Sequence, residues 1–527
     1  MCHSLMAQSV KPKLVVNFVV SGMRPVDLER FHPNFEGEGL KLFYEKGLRF
    51  TDCQFRYQQT TSPVSLSTLS TGAQPSTHGV VGDHWYDYVV NERVDLIKDS
   101  KVENMPYSSS KSGYSSRNLV APTLSDALML ASPKSRAVTV AFDPVSAIAL
   151  NGKAGKPFWF DSKTCSWSSS KAYMRSLPSW VAHYNYLESD IFRAKLSWLL
   201  THVSDKYVNR CYTEEYPSIE VAKKSSAPHG ETRQQRHERY YDIIANSPVG
   251  NNSVAMFAIQ ALESEELGVD EHIDLLNICF DASRNVVEKF GPEAIASEDM
   301  FYKLDDVIGE LMEAVSKQCP DGEVVYVLTS DHGTSSSYDN SSVEQNRFNA
   351  RKFEVILNGF LSARYGAGKW VLSCSNRNIY LNHNLIYEKG LSLSDLQDEA
   401  AAFALQVEGV SQALTSTALR SNYFGSGYAH LIQNSFYPRR SGDVILNLMP
   451  NWIEEIEGKR SQSGSMYNYD RDVPLIFYSP LIESGEVSRS IDAVDVTPTL
   501  AQILGIDEPA ASEGRCIEEV VNALGKF

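Results

Sequence analysis

The chain has 527 residues, of which 43% are hydrophobic and 10% aromatic, so it can bury a large core and its composition excludes intrinsic disorder. This length suits either one large α/β domain with insertions or two to three domains. The formal net charge of −16 argues against nucleic acid or an anionic membrane as the main partner.

The N-terminal segment MCHSLMAQSVKP, residues 1–12, is expected to be a residual signal or a disordered tail. Its SLMAQS stretch is similar to the cleavage end of a secretory signal, although the apolar core that should precede it is not visible in this chain. The folded domain is then expected to occupy residues 13–527. No stretch reaches 18 apolar residues, so no transmembrane segment is expected.

The first regular element is KLVVNFVV, residues 13–20, a continuous β-branched run typical of a central parallel strand. It leads into SGMRPVDLERF, where a loop turns into a helix. A second strand is predicted at RAVTVAF, residues 136–142, and a third at EHIDLLNICF, residues 271–280.

Further along the chain, helices and strands continue to alternate. Apolar residues at helical spacing predict a helix over residues 300–318, and EVVYVLT, residues 323–329, is the strand that follows it. Near the end, residues 472–480 form another strand, and residues 495–506 form a helix that opens with Thr and Pro. This alternation predicts an α/β fold with a doubly wound, mostly parallel sheet and helices on both faces.

Two stretches of different character are predicted to be insertions into the sheet domain. Residues from about 150 to 245 are rich in Trp, Tyr, Ser and Lys, and residues from about 345 to 460 carry their own strand and helix pattern. The aromatic residues at 157–186 allow a carbohydrate or peptide binding role, since aromatic faces stack on sugars. Aromatic residues in such a segment more commonly pack an insertion onto the core.

In open α/β sheets, ligands bind beyond the carboxyl ends of the strands. Those ends here are Ser21, the Phe280–Asp281 region, the Asp331–His332 pair and the loop before residues 472–480. Adjacent Asp and His side chains after a buried strand indicate two metal ligands, and a metal site needs further ligands nearby.

This arrangement of strand ends is accompanied by a series of longer motifs. They include STGAQPSTHGVVGDHWYD at 70–87, SPVGNNSVAMFA at 247–258 and SGSMYNYDRDVPLIFYS at 463–479. With these motifs in this order, the chain resembles the alkaline phosphatase superfamily, nearest to the PafA-like bacterial alkaline phosphatases and close to the type I phosphodiesterase/nucleotide pyrophosphatase group. The resemblance implies an alkaline-phosphatase-like fold, a periplasmic or secreted location, and chemistry that uses two zinc ions about 4 Å apart.

The resemblance also implies six Asp or His zinc ligands, and most of their positions hold other residues. Ser21 stands where an Asp should follow the first strand, and Arg284 and Glu288 stand at a DxxxH pair. Ser463 replaces the last His. Arg cannot ligate zinc because it carries a fixed charge and has no free lone pair, and a serine hydroxyl is a poor ligand at neutral pH.

Two ligand positions survive, namely Asp331 and His332. As a hypothesis, Arg284 fills the charge vacancy left by the zinc ions and pairs with Asp331.

The nucleophile and phosphate-binding positions depart from the family pattern as well. Counting back from Thr71–Gly72 places Ser62 at the nucleophile position, whereas counting forward from Phe50 reaches Val64. The hydroxyls of Thr60, Thr61 and Ser65 lie close by in sequence.

In the phosphate clamp, Asp83 replaces an Asn that should hold phosphoryl oxygens, and Asp143 and Val145 replace a Lys-x-Arg pair. The Asp83 carboxylate would repel phosphate.

These replacements predict a catalytically degenerate pseudophosphatase, a binding or scaffold protein of the cell envelope with an unidentified protein partner or cleft ligand. No cofactor is expected. The alternative is an active metal-dependent phosphomonoesterase or phosphodiesterase with a rearranged site, in which zinc binds Asp331, His332 and either Glu288 or Asp281. Ser62 would then supply the nucleophilic hydroxyl.

Overall fold

The structure is a computed structural model that describes residues 12–106, 112–188, 198–209, 230–320, 322–336 and 346–525. Of the expected N-terminal tail, residues 1–11 lie outside this description. Within these ranges, none of the helices combines the length and the apolar character needed to cross a membrane.

The β-strands are short, and those of the central sheet are mostly buried. In chain order they are β1 (Leu14–Val20), β2 (Leu48–Phe50), β3 (Cys53–Gln54), β4 (His84–Asp87), β5 (Glu92–Asp95), β6 (Lys98–Asp99), β7 (Asn104–Met105), β8 (Gly113–Tyr114), β9 (Ala137–Ala141), β10 (Lys156–Asp161), β11 (Ser166–Ser170), β12 (Asp274–Phe280), β13 (Val324–Thr329), β14 (Arg347–Phe348), β15 (Val371–Ser375), β16 (Asn378–Leu381), β17 (Val410–Thr415), β18 (Val444–Leu448), β19 (Ile453–Glu454), β20 (Leu475–Tyr478), β21 (Gly485–Val487) and β22 (Ile491–Asp492).

The α-helices connect these strands and cover the sheet. In chain order they are α1 (Pro25–Phe31), α2 (Leu40–Lys46), α3 (Ser62–Thr71), α4 (Pro75–His78), α5 (Leu124–Ala131), α6 (Pro144–Asn151), α7 (Ser179–Glu188), α8 (Arg233–Ala245), α9 (Pro248–Ser264), α10 (Asp281–Phe290), α11 (Ile295–Gln318), α12 (Ala350–Tyr365), α13 (His383–Glu388), α14 (Leu393–Ala404), α15 (Ser416–Ser421), α16 (Gly427–Ser435), α17 (Asn468–Arg471), α18 (Val496–Leu504) and α19 (Glu518–Leu524).

The central sheet has ten strands in the order β21-β2-β20-β13-β1-β12-β9-β10-β11-β7. Strand β1 lies in its middle and pairs in parallel with both β12 and β13, and β9 extends the parallel part through β12 and β10. The predicted strand at 472–480 is β20, which runs antiparallel to β13 and β2. The predicted α/β class with a mostly parallel sheet is therefore confirmed.

Both faces of the sheet are covered by helices, as the sequence of β1 requires. All seven residues of β1 are buried. Because successive strand side chains point to opposite faces, Val16 and Phe18 belong to the apolar core that contains Leu304 of α11. Val15 and Val19 belong to the core on the other face. The predicted doubly wound arrangement follows from this alternation.

The aromatic-rich stretch from about residue 150 begins inside the central sheet. Strand β10 pairs in parallel with β9, and β11 pairs with β10 in the antiparallel direction. Trp159 and Trp167 are fully buried, and the Trp167 ring stacks on Phe257 with 4.1 Å between ring centroids. These aromatic side chains pack the core, so they present no face to a sugar.

The stretch from about residue 345 to 460 forms a smaller layer with a core of its own. Its four-stranded sheet has the order β15-β16-β18-β17, and α12 and α14 contribute Leu357 and Leu396 to the apolar cluster against it. The tight turn between β15 and β16 consists of Asn376 and Arg377, which both have positive φ angles of 49° and 58°. This turn carries Arg377 toward the strand ends of the central sheet.

Candidate functional site

The candidate site lies at the carboxyl edge of the central sheet, where four segments meet. Ser21 follows β1, the Asp331–His332 pair follows β13, Ser62 opens α3 and Arg284 lies in the first turn of α10. Because β1 and β13 are parallel neighbours, their carboxyl ends are adjacent. The sequence-predicted positions are thus brought together at one place in the fold.

Asp331 is fully buried and is held by hydrogen bonds. The Ser21 hydroxyl donates to its Oδ2 atom over 2.7 Å, and the backbone N–H of Gly22 donates to Oδ1 over 3.2 Å. Burial by itself would raise the pKa of Asp331, but His332, Arg284 and the neighbouring hydroxyls together hold that pKa below its ordinary value. Ser21 therefore acts as a hydrogen-bond donor to the carboxylate.

His332 is 1% exposed and uses both ring nitrogens. Its Nδ1 atom lies 2.6 Å from the carbonyl oxygen of Gly333, and a carbonyl can only accept, so Nδ1 carries the hydrogen. Its Nε2 atom lies 3.0 Å from Ser62 Oγ. In the tautomer with its hydrogen on Nδ1, the Nε2 atom accepts the Ser62 hydroxyl hydrogen.

Arg284 brings a permanent positive charge into the same place. Its Nη1 atom donates to Ser62 Oγ, and its Nη2 atom lies 3.6 Å from Asp143 Oδ2. Burial would lower the pKa of Arg284, but the surrounding carboxylates of Asp281, Asp143 and others raise it above its ordinary value. The guanidinium group is charged at any pH at which the protein folds.

The prediction that Arg284 forms an ion pair with Asp331 is wrong. Arg284 pairs with Asp143, and it acts on Asp331 through its charge alone. Asp331 instead accepts its hydrogen bonds from the Ser21 hydroxyl and the Gly22 N–H.

Glu288, at another of the replaced ligand positions, is also engaged. Lys459 Nζ lies 2.5 Å from Glu288 Oε2, and the backbone N–H of Arg460 donates to the Glu288 carbonyl over 2.7 Å. The pair is buried on the Glu288 side and partly exposed on the Lys459 side. This ammonium group neutralises the carboxylate that a rearranged metal site would use.

The Ser463 segment is fixed by a second buried arginine. Arg377 is 5% exposed and donates to the carbonyl of Gly464 and, over 3.5 Å, to the carbonyl of Ser463. Its Nε atom lies 3.6 Å from a Glu454 carboxylate oxygen. A guanidinium group thus lies against the segment that should present the last His ligand.

Asp281 is the other carboxylate considered for a rearranged site, and its hydrogen-bond partners lie in the segment around α6. It accepts hydrogen bonds from the backbone N–H groups of Phe142 and Asp143, each over 3.0 Å, and from Ser146 Oγ over 2.5 Å. Burial raises its pKa to about 6 despite the opposing charge of Arg284. This carboxylate ties α10 to the segment that follows β9 and to α6.

The replaced phosphate-binding positions have local structural roles. Asp143 caps α6 by accepting the Val145 N–H over 2.8 Å, in addition to its ion pair with Arg284. Asp83 accepts from His84 Nδ1 over 2.8 Å and from Asn376 Nδ2 over 3.2 Å. Val145, which stands in place of an Arg, lies in the first turn of α6 and offers phosphate no polar group.

The other candidate hydroxyls and His78 point elsewhere. Thr60 Oγ1 donates to the Ser465 carbonyl over 2.9 Å, and Ser65 Oγ accepts from Tyr57 over 3.0 Å. His78 is fully buried beside Thr68, and burial lowers its pKa to about 3. Among the hydroxyls considered, Ser62 is the one that lies against His332.

Sequence reasoning did not identify Arg377 and Lys459 as parts of the site. Both come from the predicted second insertion, far along the chain from the residues that they contact. Two residues between VLSCS and NIYL do indicate a tight hairpin turn, which was a signal for the position of Arg377. No comparable pattern marks Lys459.

The side chains at this edge do not fit two zinc ions. In the part of the chain that the structure describes, no group of three or more His, Cys, Asp or Glu side chains is placed to hold a metal ion. Arg284 has no lone pair to offer, Ser21 donates its hydrogen to Asp331, and Glu288 is paired with Lys459. The donor set of the family is therefore incomplete in chemistry as well as in number.

Comparisons with known proteins agree with this fold. A family model described as type I phosphodiesterase / nucleotide pyrophosphatase matches residues 15–465. A Myroides odoratus protein named calcium-transporting ATPase is 25% identical over 520 residues, which cover 97% of this chain and 95% of that protein. Alkaline phosphatase PafA from Elizabethkingia meningoseptica is 25% identical over 517 residues, with 97% and 95% coverage.

The crystal structure of wild-type PafA has a TM-score of 0.87 and 24% identity to this chain, and the likeness covers 97% of this chain and 99% of that one. The resemblance to PafA-like proteins that the motifs predicted is confirmed. Because the matching family model spans most of the sequence, the chain belongs to the type I phosphodiesterase / nucleotide pyrophosphatase family.

Proposed function

We propose that this protein is a pseudophosphatase, a family member that has lost two-zinc catalysis and retains the fold as a binding or scaffold module. The observation that carries the proposal is the hydrogen bond from Arg284 to Ser62 Oγ. Ser62 is the position at which the resemblance implies a metal-activated nucleophile. A fixed guanidinium charge there opposes a divalent cation by direct electrostatic repulsion.

The loss of the remaining ligands supports the same conclusion. Each replaced position is engaged in an internal contact: Ser21 with Asp331, and Glu288 with Lys459. Asp281, the alternative to Glu288 in a rearranged single-metal site, accepts hydrogen bonds from two backbone N–H groups and a hydroxyl. These contacts make a stable network without a metal ion, so no cofactor is part of the proposal.

The charges around the cleft argue against a phosphate ester as ligand. Asp83 and Asp143 replace groups that would bind phosphoryl oxygens. Burial alone would raise the pKa of Asp83, but the hydrogen bond and charge of His84 and the hydrogen bond from Asn376 hold that pKa below its ordinary value. A carboxylate at such a position repels a phosphate dianion. A different cleft ligand or a protein partner is therefore proposed.

A location in the cell envelope is proposed from the signal-like SLMAQS stretch.

The test is zinc stoichiometry by elemental mass spectrometry on protein purified without chelators, together with p-nitrophenyl phosphate turnover on the same sample. We expect substoichiometric zinc and no turnover above the buffer blank, before and after incubation with excess zinc. One or two tightly bound ions with turnover would overturn the proposal, because a working two-zinc or one-zinc hydrolase retains its metal.

A further inference from the structure

Ser62 and His332 form a hydrogen-bonded pair that the proposed loss of zinc leaves free for other chemistry. Ser62 Oγ lies 3.0 Å from His332 Nε2, and the Gly333 carbonyl fixes the hydrogen on Nδ1. A serine hydroxyl whose hydrogen points to a neutral imidazole nitrogen has the geometry of an activated nucleophile. We propose that Ser62 is a metal-independent nucleophile, with His332 as its base, that is acylated by small neutral carboxylic esters.

This inference rests on the proposed function, because a zinc ion bound to His332 Nε2 would occupy the lone pair that the base needs. In the present arrangement that lone pair is directed to the Ser62 hydroxyl. The same residue cannot ligate a metal through Nε2 and accept a proton there.

Two charged neighbours complete the pair. Asp331 Oδ2 lies 3.6 Å from His332 Nε2, so its carboxylate stabilises the imidazolium ion that forms when the ring accepts a proton. Arg284 Nη1 already donates to Ser62 Oγ. Its guanidinium group lies where it can donate to the negative oxygen that develops on an attacked carbonyl carbon.

The class of substrate follows from the charges and the burial around Ser62. Asp143, Asp331 and Asp83 replace or flank the positions that would bind phosphate, and these carboxylates repel an anionic ester. A neutral carboxylic ester carries no such penalty. Ser62 is 4% exposed, so the acyl group must be small, and the neighbouring Arg284–Asp143 pair is partly exposed.

The reaction balances without a cofactor. Ser62 Oγ attacks the carbonyl carbon of the ester and forms a new C–O bond, and its proton passes to His332 Nε2. The bond between the carbonyl carbon and the alcohol oxygen then breaks, and the alcohol or phenolate leaves. The product is an acyl ester on Ser62.

The probe is p-nitrophenyl acetate, used on the full chain in excess EDTA after zinc has been quantified. We expect release of one p-nitrophenolate per chain and one acetyl group on the peptide that contains Ser62. Ser62→Ala should abolish that modification. His332→Gln should slow it by at least about 100-fold, the scale of general base catalysis.

Ser65→Ala is the matched control, since Ser65 lies on the same helix and bonds to Tyr57; it should be acetylated at Ser62 like the parent. Circular dichroism verifies that each variant is folded, and the His332→Gln variant tests the inference independently of Ser62→Ala. Acetylation at other sites only, or at an unchanged rate in His332→Gln, would overturn the inference. Labelling that EDTA stops and zinc restores would refute the proposed function too, whereas zinc-free protein without labelling refutes this inference alone.

Discussion

The Ser21 hydroxyl donates a 2.7 Å hydrogen bond to Asp331 Oδ2 across the carboxyl ends of β1 and β13. The family pattern places a second carboxylate at position 21, and two carboxylates at that distance require a cation between them. Replacement by serine turns a repulsive pair into a donor–acceptor pair. Under the proposed function, this hydrogen bond holds the two strand ends together where the family pattern would place a metal ion.

Asp331→Ala should destabilise the fold. The substitution leaves the Ser21 hydroxyl and the Gly22 N–H without their acceptor and removes a negative charge near Arg284. Loss of a buried charged acceptor costs on the order of 3 kcal/mol in the free energy of unfolding. Urea unfolding of the two proteins measures the difference.

The control for that measurement is Ser21→Ala, which removes one donor and should cost only about 1 kcal/mol. In the double variant the two costs should not add, because the contact is shared. Additive costs would show that the hydrogen bond contributes nothing.

Arg284→Met should also destabilise the protein, although methionine matches much of the arginine stem. Without the guanidinium group, Asp143, Asp281 and Asp331 remain close together with no compensating cation. Uncompensated buried charge costs roughly 3–5 kcal/mol. Thermal unfolding at low and high salt tests this, and an unchanged midpoint would contradict the assigned role.

The pH dependence of stability should reflect Asp470. Burial raises its pKa to about 7 from an ordinary value of 3.8, and among the described residues its Oδ1 atom has no hydrogen-bond partner. The folded state then binds a proton that the unfolded state releases between these values. Stability is therefore lost as the pH rises from about 4 through about 7.

Asp470→Asn removes this dependence while keeping an oxygen to accept the bonds from Ser465. The variant should be more stable than the parent at pH 8 and no more stable at pH 4. Urea midpoints at the two pH values provide the measurement. If the variant is no more stable than the parent at pH 8, the Asp470 carboxylate is compensated in the folded state.

Some features of this fold could be predicted from the sequence, and others depend on geometry that no local pattern records. The β-branched runs of β1 and β13 marked buried strands because a parallel sheet buries both faces. The antiparallel direction of β20 could not be predicted, since apolar periodicity is the same in either direction.

The same limit applies to the site. Positions 21, 62, 284, 331 and 332 could be aligned because they follow strand ends or open helices. The partner of Arg284 could not be chosen, because Asp143 and Asp331 are both carboxylates and only their other hydrogen bonds decide between them. Arg377 and Lys459 were missed because they reach the site from a separate layer of the fold.

Gly22, next to Ser21, combines a positive φ angle with a close approach to α10. Its φ angle is +80°, and a Cβ atom there would lie 3.1 Å from Arg284 Cα. Gly22→Ala should therefore cost about 1–3 kcal/mol through backbone strain and displace α10. Gly505→Ala is a matched control, since Gly505 also has a positive φ angle but open space around its Cβ position. The Gly22 variant should lose more stability than the control in the same urea titration.

Restoring the zinc ligands tests the account of the site in the opposite direction. The substitutions Ser21→Asp, Arg284→Asp, Glu288→His and Ser463→His together supply the anionic oxygens and imidazoles that zinc requires. We expect this variant to bind zinc in proportion to added metal and to gain thermal stability from it, since a ligand that binds only the folded state stabilises it.

The matched control carries the same changes except at position 284, and its retained guanidinium charge should keep zinc binding weak. Phosphatase activity should stay absent in both, because Asp83 and Asp143 still repel the substrate. Equal zinc affinity in the two variants would show that Arg284 is not what excludes the metal.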